Sequence, residues 1–365
     1  MENKKLVFKL ESQFNYYLES VPKSKQVPRS YSDDNGIIMA SSDNWTCGFT
    51  PGSMWYMYEL TGKEKWKKAA TFNTKKFEDV KNQTHTHDLG FMIFCSFGNA
   101  YRITRIDHYK NVIIDASKTL IKRFNPNVGC IRSWDWGNWE YPVIIDNLMN
   151  LEMLFWTSKI TGNSKYKDIA ISHANKTMKN HYREDFSCYH VVSYDLKSGN
   201  PIVKGTHQGF NNESVWARGQ AWGLYGYIVC YRETKNTFYL DFALKIAKYL
   251  IDKSPRDMIP FWDYDVAENP EEPKDASSAA IIASALYELF EHTSNEKFID
   301  FADKILESLN SEKYFSKVGE NGGFLLLNST GNKPKETEVN SSINYADYYY
   351  LEALKRQNKV NNNFE

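Results

Sequence analysis

The sequence has no surplus of either charge, with 45 Lys and Arg against 45 Asp and Glu. That balance removes nucleic acid and anionic lipid surfaces from the expected partners. No window approaches the roughly 18 consecutive apolar residues of a membrane-spanning helix, so no membrane segment is expected. The opening Met1-Glu-Asn-Lys-Lys-Leu-Val-Phe-Lys holds only a three-residue apolar run, too short for a secretory core. Cysteine is scarce and unpaired in spacing: Cys47, Cys95, Cys130, Cys188 and Cys230 are scattered and odd in number. They read as reduced thiols, which points to a cytoplasmic protein. A Gly-rich phosphate loop, a G-x-S-x-G elbow and an H-E-x-x-H pair are all missing, so nucleotide-phosphate, serine-hydrolase and zinc-protease chemistries fall away.

Aromatic residues are plentiful, at 15% of the chain with 10 Trp and 24 Tyr. Flat aromatic faces suit sugar-stacking clefts and core packing alike. They also take part in a repeat. Five segments share a Thr, an aromatic five residues on, and a small or apolar residue four later: Thr61/Trp66/Ala70, Thr104/Tyr109/Ile113, Thr161/Tyr166/Ala170, Thr234/Tyr239/Ala243 and Thr293/Phe298/Ala302. Each follows a helix that is apolar nearly all round and opens one whose apolar residues keep to one stripe. Helix, short turn, helix is an αα-hairpin. A helix over Leu6–Leu18 and another from Asp347 onward could complete a ring of about six hairpins. Strand signals are few, with Tyr189–Tyr194 and Phe324–Leu327 as candidates for short hairpins. The expected architecture is one all-α domain over residues 1–365, an (α/α)6 toroid, with an open solenoid as the alternative.

In such a ring the inner helices start at one end, and the polar residues before them should converge. Asp146 precedes the apolar run Leu148–Ile160, and Asp88 precedes another. Arg218 opens a third inside Trp216-Ala-Arg-Gly-Gln-Ala-Trp222, and Asp275 opens a fourth. Each Asp has a plain reading as a helix cap, which is favoured for Asp275. Arg218 opposes the helix dipole and reads either as a fork for a substrate carboxylate or as the partner of a buried Asp. His87 beside Asp88 fits a hydrogen-bonding site, since further ligands at metal spacing are missing; no metal and no cofactor are expected. Trp45 and Trp134, in Gly/Pro-punctuated and Trp-rich loops, are sugar platforms or packed loop residues. His190, Thr206 and Gln208 lie on segments leading into the Arg218 helix. Ser341 and Ser342 precede the last helix.

Seven stretches spread over most of the chain resemble the unsaturated glucuronyl hydrolases of glycoside hydrolase family 88. They are His87-Asp-Leu-Gly-Phe, Ile145-Asp-Asn-Leu-Met-Asn, His190-Val-Val-Ser-Tyr-Asp, His207-Gln-Gly, Trp216-Ala-Arg-Gly-Gln-Ala-Trp-Gly, Asp275-Ala-Ser-Ser-Ala-Ala and Asp347-Tyr-Tyr-Tyr-Leu-Glu-Ala-Leu. The resemblance implies an (α/α)6 barrel. It also implies a substrate: an oligosaccharide ending in the 4,5-unsaturated uronic acid left by polysaccharide lyases. The implied reaction hydrates the C4=C5 enol ether, and the product then opens to release the neighbouring sugar, unlike displacement at the anomeric carbon. By the same resemblance Asp146 is the general acid and base and Asp88 the second carboxylate. Arg218, Trp222, Thr206, Gln208, His190 and Trp134 are implied to surround the sugar, and Trp45, His87, Ser341 and Ser342 join them as candidate contacts on the readings above. Members of the family differ before the last helix in their treatment of sulfated substrates; here Ser341, Ser342 and Asn344 stand in that region, without a nearby Lys before Asp347.

Three other readings compete. A rhamnogalacturonyl hydrolase would share the barrel and reaction with a different leaving sugar. A sugar epimerase would release nothing. A non-catalytic helical scaffold would tolerate Asn at Asp88 and Asp146.

Overall fold

The five threonines sit at the last turn of a helix, and each closes that turn in the same way. In all five the hydroxyl donates to the carbonyl four residues back, at 2.6–2.8 Å, and accepts from the N–H two residues on, at 3.2–3.4 Å. The residue after each Thr is left-handed, with φ between 54 and 71°. Two of these are Gly62 and Gly162, for which that conformation carries no steric cost. At three turns an Asn then caps the next helix, Asn163, Asn236 and Asn295 accepting from the N–H two residues ahead. The aromatic five residues after the Thr, whether Trp66, Tyr109, Tyr166, Tyr239 or Phe298, is buried, as is the small or apolar residue four later.

This computed structural model describes residues 2–267, 269 and 271–364. Its helices are α1 (Glu2–Ser20), α2 (Phe49–Thr61), α3 (Glu64–Lys75), α4 (Asn99–Thr104), α5 (Asp107–Leu120), α6 (Leu151–Thr161), α7 (Ser164–His181), α8 (Ala217–Thr234), α9 (Thr237–Asp252), α10 (Ala276–Thr293), α11 (Glu296–Leu309) and α12 (Asn344–Phe364). The strands are short: β1 (Val27–Ser32), β2 (Gly36–Ala40), β3 (Phe124–Asn125), β4 (Cys130–Ile131), β5 (Pro142–Ile144), β6 (Val191–Tyr194), β7 (Pro201–Gly205) and β8 (Ser342–Ile343).

The chain divides into two compact units. One comprises Phe77–Lys253 with Asp263–Asp265; the remainder forms the other. The first unit holds α4–α9. A π-helical segment, Gly90–Gly98, runs into α4 and packs on α5; α6 packs on α7, and α8 on α9. Residues Ala217–Cys230 of α8 are buried without a break, while α9 buries only Tyr239, Ala243, Ile246, Ala247 and Leu250. One helix is thus interior and its partner amphipathic. An antiparallel sheet in the order β5-β6-β7 delivers the chain to α6 and α8. The second unit repeats the plan, with α2 on α3, α10 on α11 and α12 on both α10 and α2. It carries the sheet β2-β1-β8. Residues 276–289 of α10 are all buried.

One strand expectation fails. Tyr189–Tyr194 contains β6, but Phe324–Leu327 forms only the single bridge Phe315 to Leu326. The Asp347 carboxylate accepts the N–H groups of Leu325 and Leu326, both at 2.9 Å, and takes the donors a ladder would need.

Candidate active site

Asp88 is set by its own turn. The Thr86 hydroxyl donates to Asp88 Oδ2 at 2.9 Å and accepts the Asp88 N–H at 3.1 Å. His87 Nε2 lies 3.3 Å from Asp88 Oδ1. The chain then turns into Gly90, and there glycine is required: a Cβ would fall 2.5 Å from the Cα of Asn150. That close approach lets Asn150 Oδ1 accept the Phe91 N–H at 3.1 Å. The turn carrying Asp88 is therefore joined directly to the turn carrying Asp146.

Asp146 sits in the tight helical turn Ile145–Asn150 between β5 and α6. The Ile145 N–H donates to the His190 carbonyl at 3.0 Å, which ties this turn to the end of β6. Asp146 is not the cap of this turn, whose N-cap position is Ile144. It is only 8% exposed, and its Oδ2 has no hydrogen-bond partner. Burial pushes its carboxyl up to about 7, and the negative charge of Asp88 adds to the effect. Arg218 and Trp222 oppose it. Near neutral pH this carboxyl is therefore divided between acid and base forms, as a proton-transfer group needs.

His190 faces it. His190 Nε2 is 3.7 Å from Asp146 Oδ2, and the ring lies on Trp216 with centroids 4.4 Å apart. Burial holds its basicity well below the ordinary histidine value, so it is neutral. His190 Nδ1 accepts from the backbone N–H groups of His207 and Gln208 at 3.2 and 3.3 Å, and Thr206 Oγ1 is 3.4 Å away. Arg218, one residue into α8 and 1% exposed, lies over the Trp216 ring at 4.5 Å. Trp222, one turn further on, is buried against Phe91. Trp134 is stacked on the half-exposed Trp136, with centroids 4.5 Å apart and 10° between planes, and His207 meets both rings. Arg123 grips Asp135 with two hydrogen bonds, at 2.9 and 3.0 Å, and fixes that loop.

One unit therefore gathers Asp88, Asp146, His87, His190, Thr206, Gln208, Arg218, Trp222 and Trp134. The other residues of the expected set lie in the other unit. There Trp45 packs on Phe49 and Tyr345. The Ser341 hydroxyl donates to the Val339 carbonyl, and Ser342 pairs with Asn321. Asp275 is a working helix cap, accepting from the N–H and hydroxyl of Ser277. Among the described residues no three His, Cys, Asp or Glu side chains are grouped to hold a metal ion, and no helix is long and apolar enough to cross a membrane.

Comparison with known proteins bears on this arrangement. The model of Glycosyl Hydrolase Family 88 matches residues 21–361. The chain belongs to this family. An unsaturated glucuronyl hydrolase of Formosa agariphila is 45% identical over 357 residues, covering 96% of this chain and 89% of that protein. An unsaturated chondroitin disaccharide hydrolase of Streptococcus pneumoniae is 31% identical, covering 96% and 90%. The crystal structure of an unsaturated glucuronyl hydrolase specific for heparin matches with a TM-score of 0.96 at 44% identity, over 99% of this chain and 98% of that one. The fold class is accordingly the (α/α)6 barrel.

Sequence reasoning missed Thr86, Asn147, Asn150 and Asp263. Asn147 Nδ2 donates to the Ile131 carbonyl at 2.8 Å beneath the Asp146 turn. The two Asn stand inside the Ile145–Asn150 motif and could have been weighed with it. Asp263 had no local signal.

Proposed function

We propose that the chain removes a 4,5-unsaturated glucuronic acid from the non-reducing end of lyase-generated glycosaminoglycan oligosaccharides, on one catalytic domain of residues 1–365. Family membership supports the reaction class. The observation that carries the assignment of roles is Asp146: buried, pushed up to about 7, and holding an oxygen with no protein partner. Protonated Asp146 delivers its proton to C4 of the enol ether, and positive charge develops at C5. The resulting Asp146 carboxylate takes a proton from water as that water bonds to C5. The hemiketal so formed opens, and the bond to the next sugar is lost. Asp88 sustains the proton on Asp146 before the step. Arg218 offers a guanidinium to the uronate carboxylate. Trp222, His87, Thr206, Gln208 and the Trp134 wall shape the remaining contacts.

The likeness to a heparin-specific enzyme makes unsaturated heparin disaccharides the first substrates to try, with chondroitin-derived and pectin-derived ones beside them. The expected result is loss of the near-ultraviolet absorbance of the conjugated double bond, release of the neighbouring sugar, and deuterium at C4 in heavy water. Turnover of none of the panel, or isomerisation without release, would overturn the reading. Preference for the pectin-derived substrate would favour the rhamnogalacturonyl alternative.

A further inference from the structure

The loop that follows β7 spends every one of its first five N–H groups on a named acceptor. Thr206 N–H goes to Asn212 Oδ1 at 3.2 Å, His207 and Gln208 to His190 Nδ1, Gly209 to Thr206 Oγ1 at 2.7 Å, and Phe210 to Asp263 Oδ2 at 2.9 Å. Asp263 is wholly buried, and it also accepts the Ser214 hydroxyl at 2.7 Å and the Asp265 N–H at 3.0 Å. It is the post around which residues 206–214 are wound.

The consequence falls on His190. A backbone N–H can only donate, so two of them aimed at Nδ1 require a lone pair there. The ring proton must then sit on Nε2. That nitrogen is buried, has no hydrogen-bond partner, and faces the equally unpartnered Asp146 Oδ2 at 3.7 Å. Catalytic hydrogen bonds are often long before substrate arrives. In this tautomer His190 offers an N–H to the negative charge that appears on Asp146 as it gives up its proton. In the other tautomer it would offer a lone pair to that same charge.

We infer that Asp263, through the loop Thr206–Ser214, locks His190 in its Nε2–H tautomer and so aims a hydrogen-bond donor at Asp146. Asp263 is a positioning residue: it acts through the loop amides. The inference rests on Asp146 being the acid of the proposed reaction, but the tautomer can be measured without any turnover.

The test uses the full chain with 15N-labelled histidine, the His190 signals being identified by their loss in His190→Gln. Long-range proton–nitrogen correlation should find wild-type His190 neutral, with the proton on Nε2, throughout the neutral pH range. In Asp263→Asn one carboxylate oxygen becomes an amide N–H, which opposes either the Phe210 or the Asp265 N–H. The expected result is a mixture of His190 tautomers and a fall in kcat of about tenfold, with a smaller change in KM. Should that variant fail to fold, Asn212→Ala loosens the other end of the loop and is read in the same two ways. A wild-type ring protonated on Nδ1 or doubly protonated overturns the inference. So does a folded loop variant whose kcat falls while the His190 signature stays unchanged. A wild-type protein inactive on every unsaturated substrate would count against the functional reading and leave the tautomer measurement to judge the lock.

Discussion

Asp146 and Asp347 are alike in burial and in acidity. Each stands by the start of an interior helix, and burial pushes each up to about 7. They differ in what their oxygens touch. Asp347 accepts one backbone N–H on each oxygen, from Leu325 and Leu326, and so fastens a loop to α12. Asp146 leaves Oδ2 without a protein partner, facing a neutral histidine. On the proposed assignment of Asp146, a shifted acidity therefore does not separate a reactive carboxylate from a structural one. The unspent acceptor does, because a satisfied oxygen must break a protein contact before it can handle a substrate proton.

The pair of Asn substitutions tests that distinction most strongly. Asp146→Asn should lower kcat on an unsaturated disaccharide on the order of a thousandfold without lowering the urea midpoint. Asp347→Asn should do the reverse. An amide N–H would oppose one of the two loop N–H groups, at a cost of about 1–3 kcal/mol in stability, while kcat per folded molecule stays near wild type. A fully folded Asp347→Asn protein with no turnover would erase the distinction.

Acidity supplies the next test, because here the two residues should behave alike. Both have folded-state values above the ordinary carboxylate range of roughly 4. Their contribution to stability is thus fully present below that range and is lost as the pH rises through about 7. Urea midpoints compared at acid and mildly alkaline pH should show each Asn variant gaining on wild type as the pH rises. Only Asp146 should also govern the rate, with kcat/KM falling as the pH climbs past its value. The smallest effect belongs to Asp275, a plain cap whose carboxylate holds Ser277 and the Thr330 N–H. Asp275→Ala should cost about 1 kcal/mol, read as a slightly lower melting temperature, with turnover unchanged.

What could be read from the sequence follows the reach of the interactions. The Thr turns close within four residues, so their pattern is written locally and the hairpins were legible. The motifs around Asp88, Asp146 and Arg218 were legible too, since each sits where an interior helix begins. Asp263 was not: its partners Ser214 and Phe210 are 49 and 53 positions away, and nothing in Phe-Trp-Asp-Tyr-Asp separates it from an ordinary loop acid. The apolar run Phe324–Leu327 suggested a strand for the same reason. Its donors are claimed by a carboxylate more than twenty positions on.

The Thr-closed hairpins also bear on the order in which this molecule comes together. A turn complete within a few residues can form as soon as those residues leave the ribosome, whereas Phe91 must meet Asn150 across 59 positions. Loop-closure entropy delays contacts of the second kind. The frame can therefore assemble early and piecemeal, while the carboxylates acquire their final environment only near the end, so that recovery of activity on refolding should trail recovery of helicity.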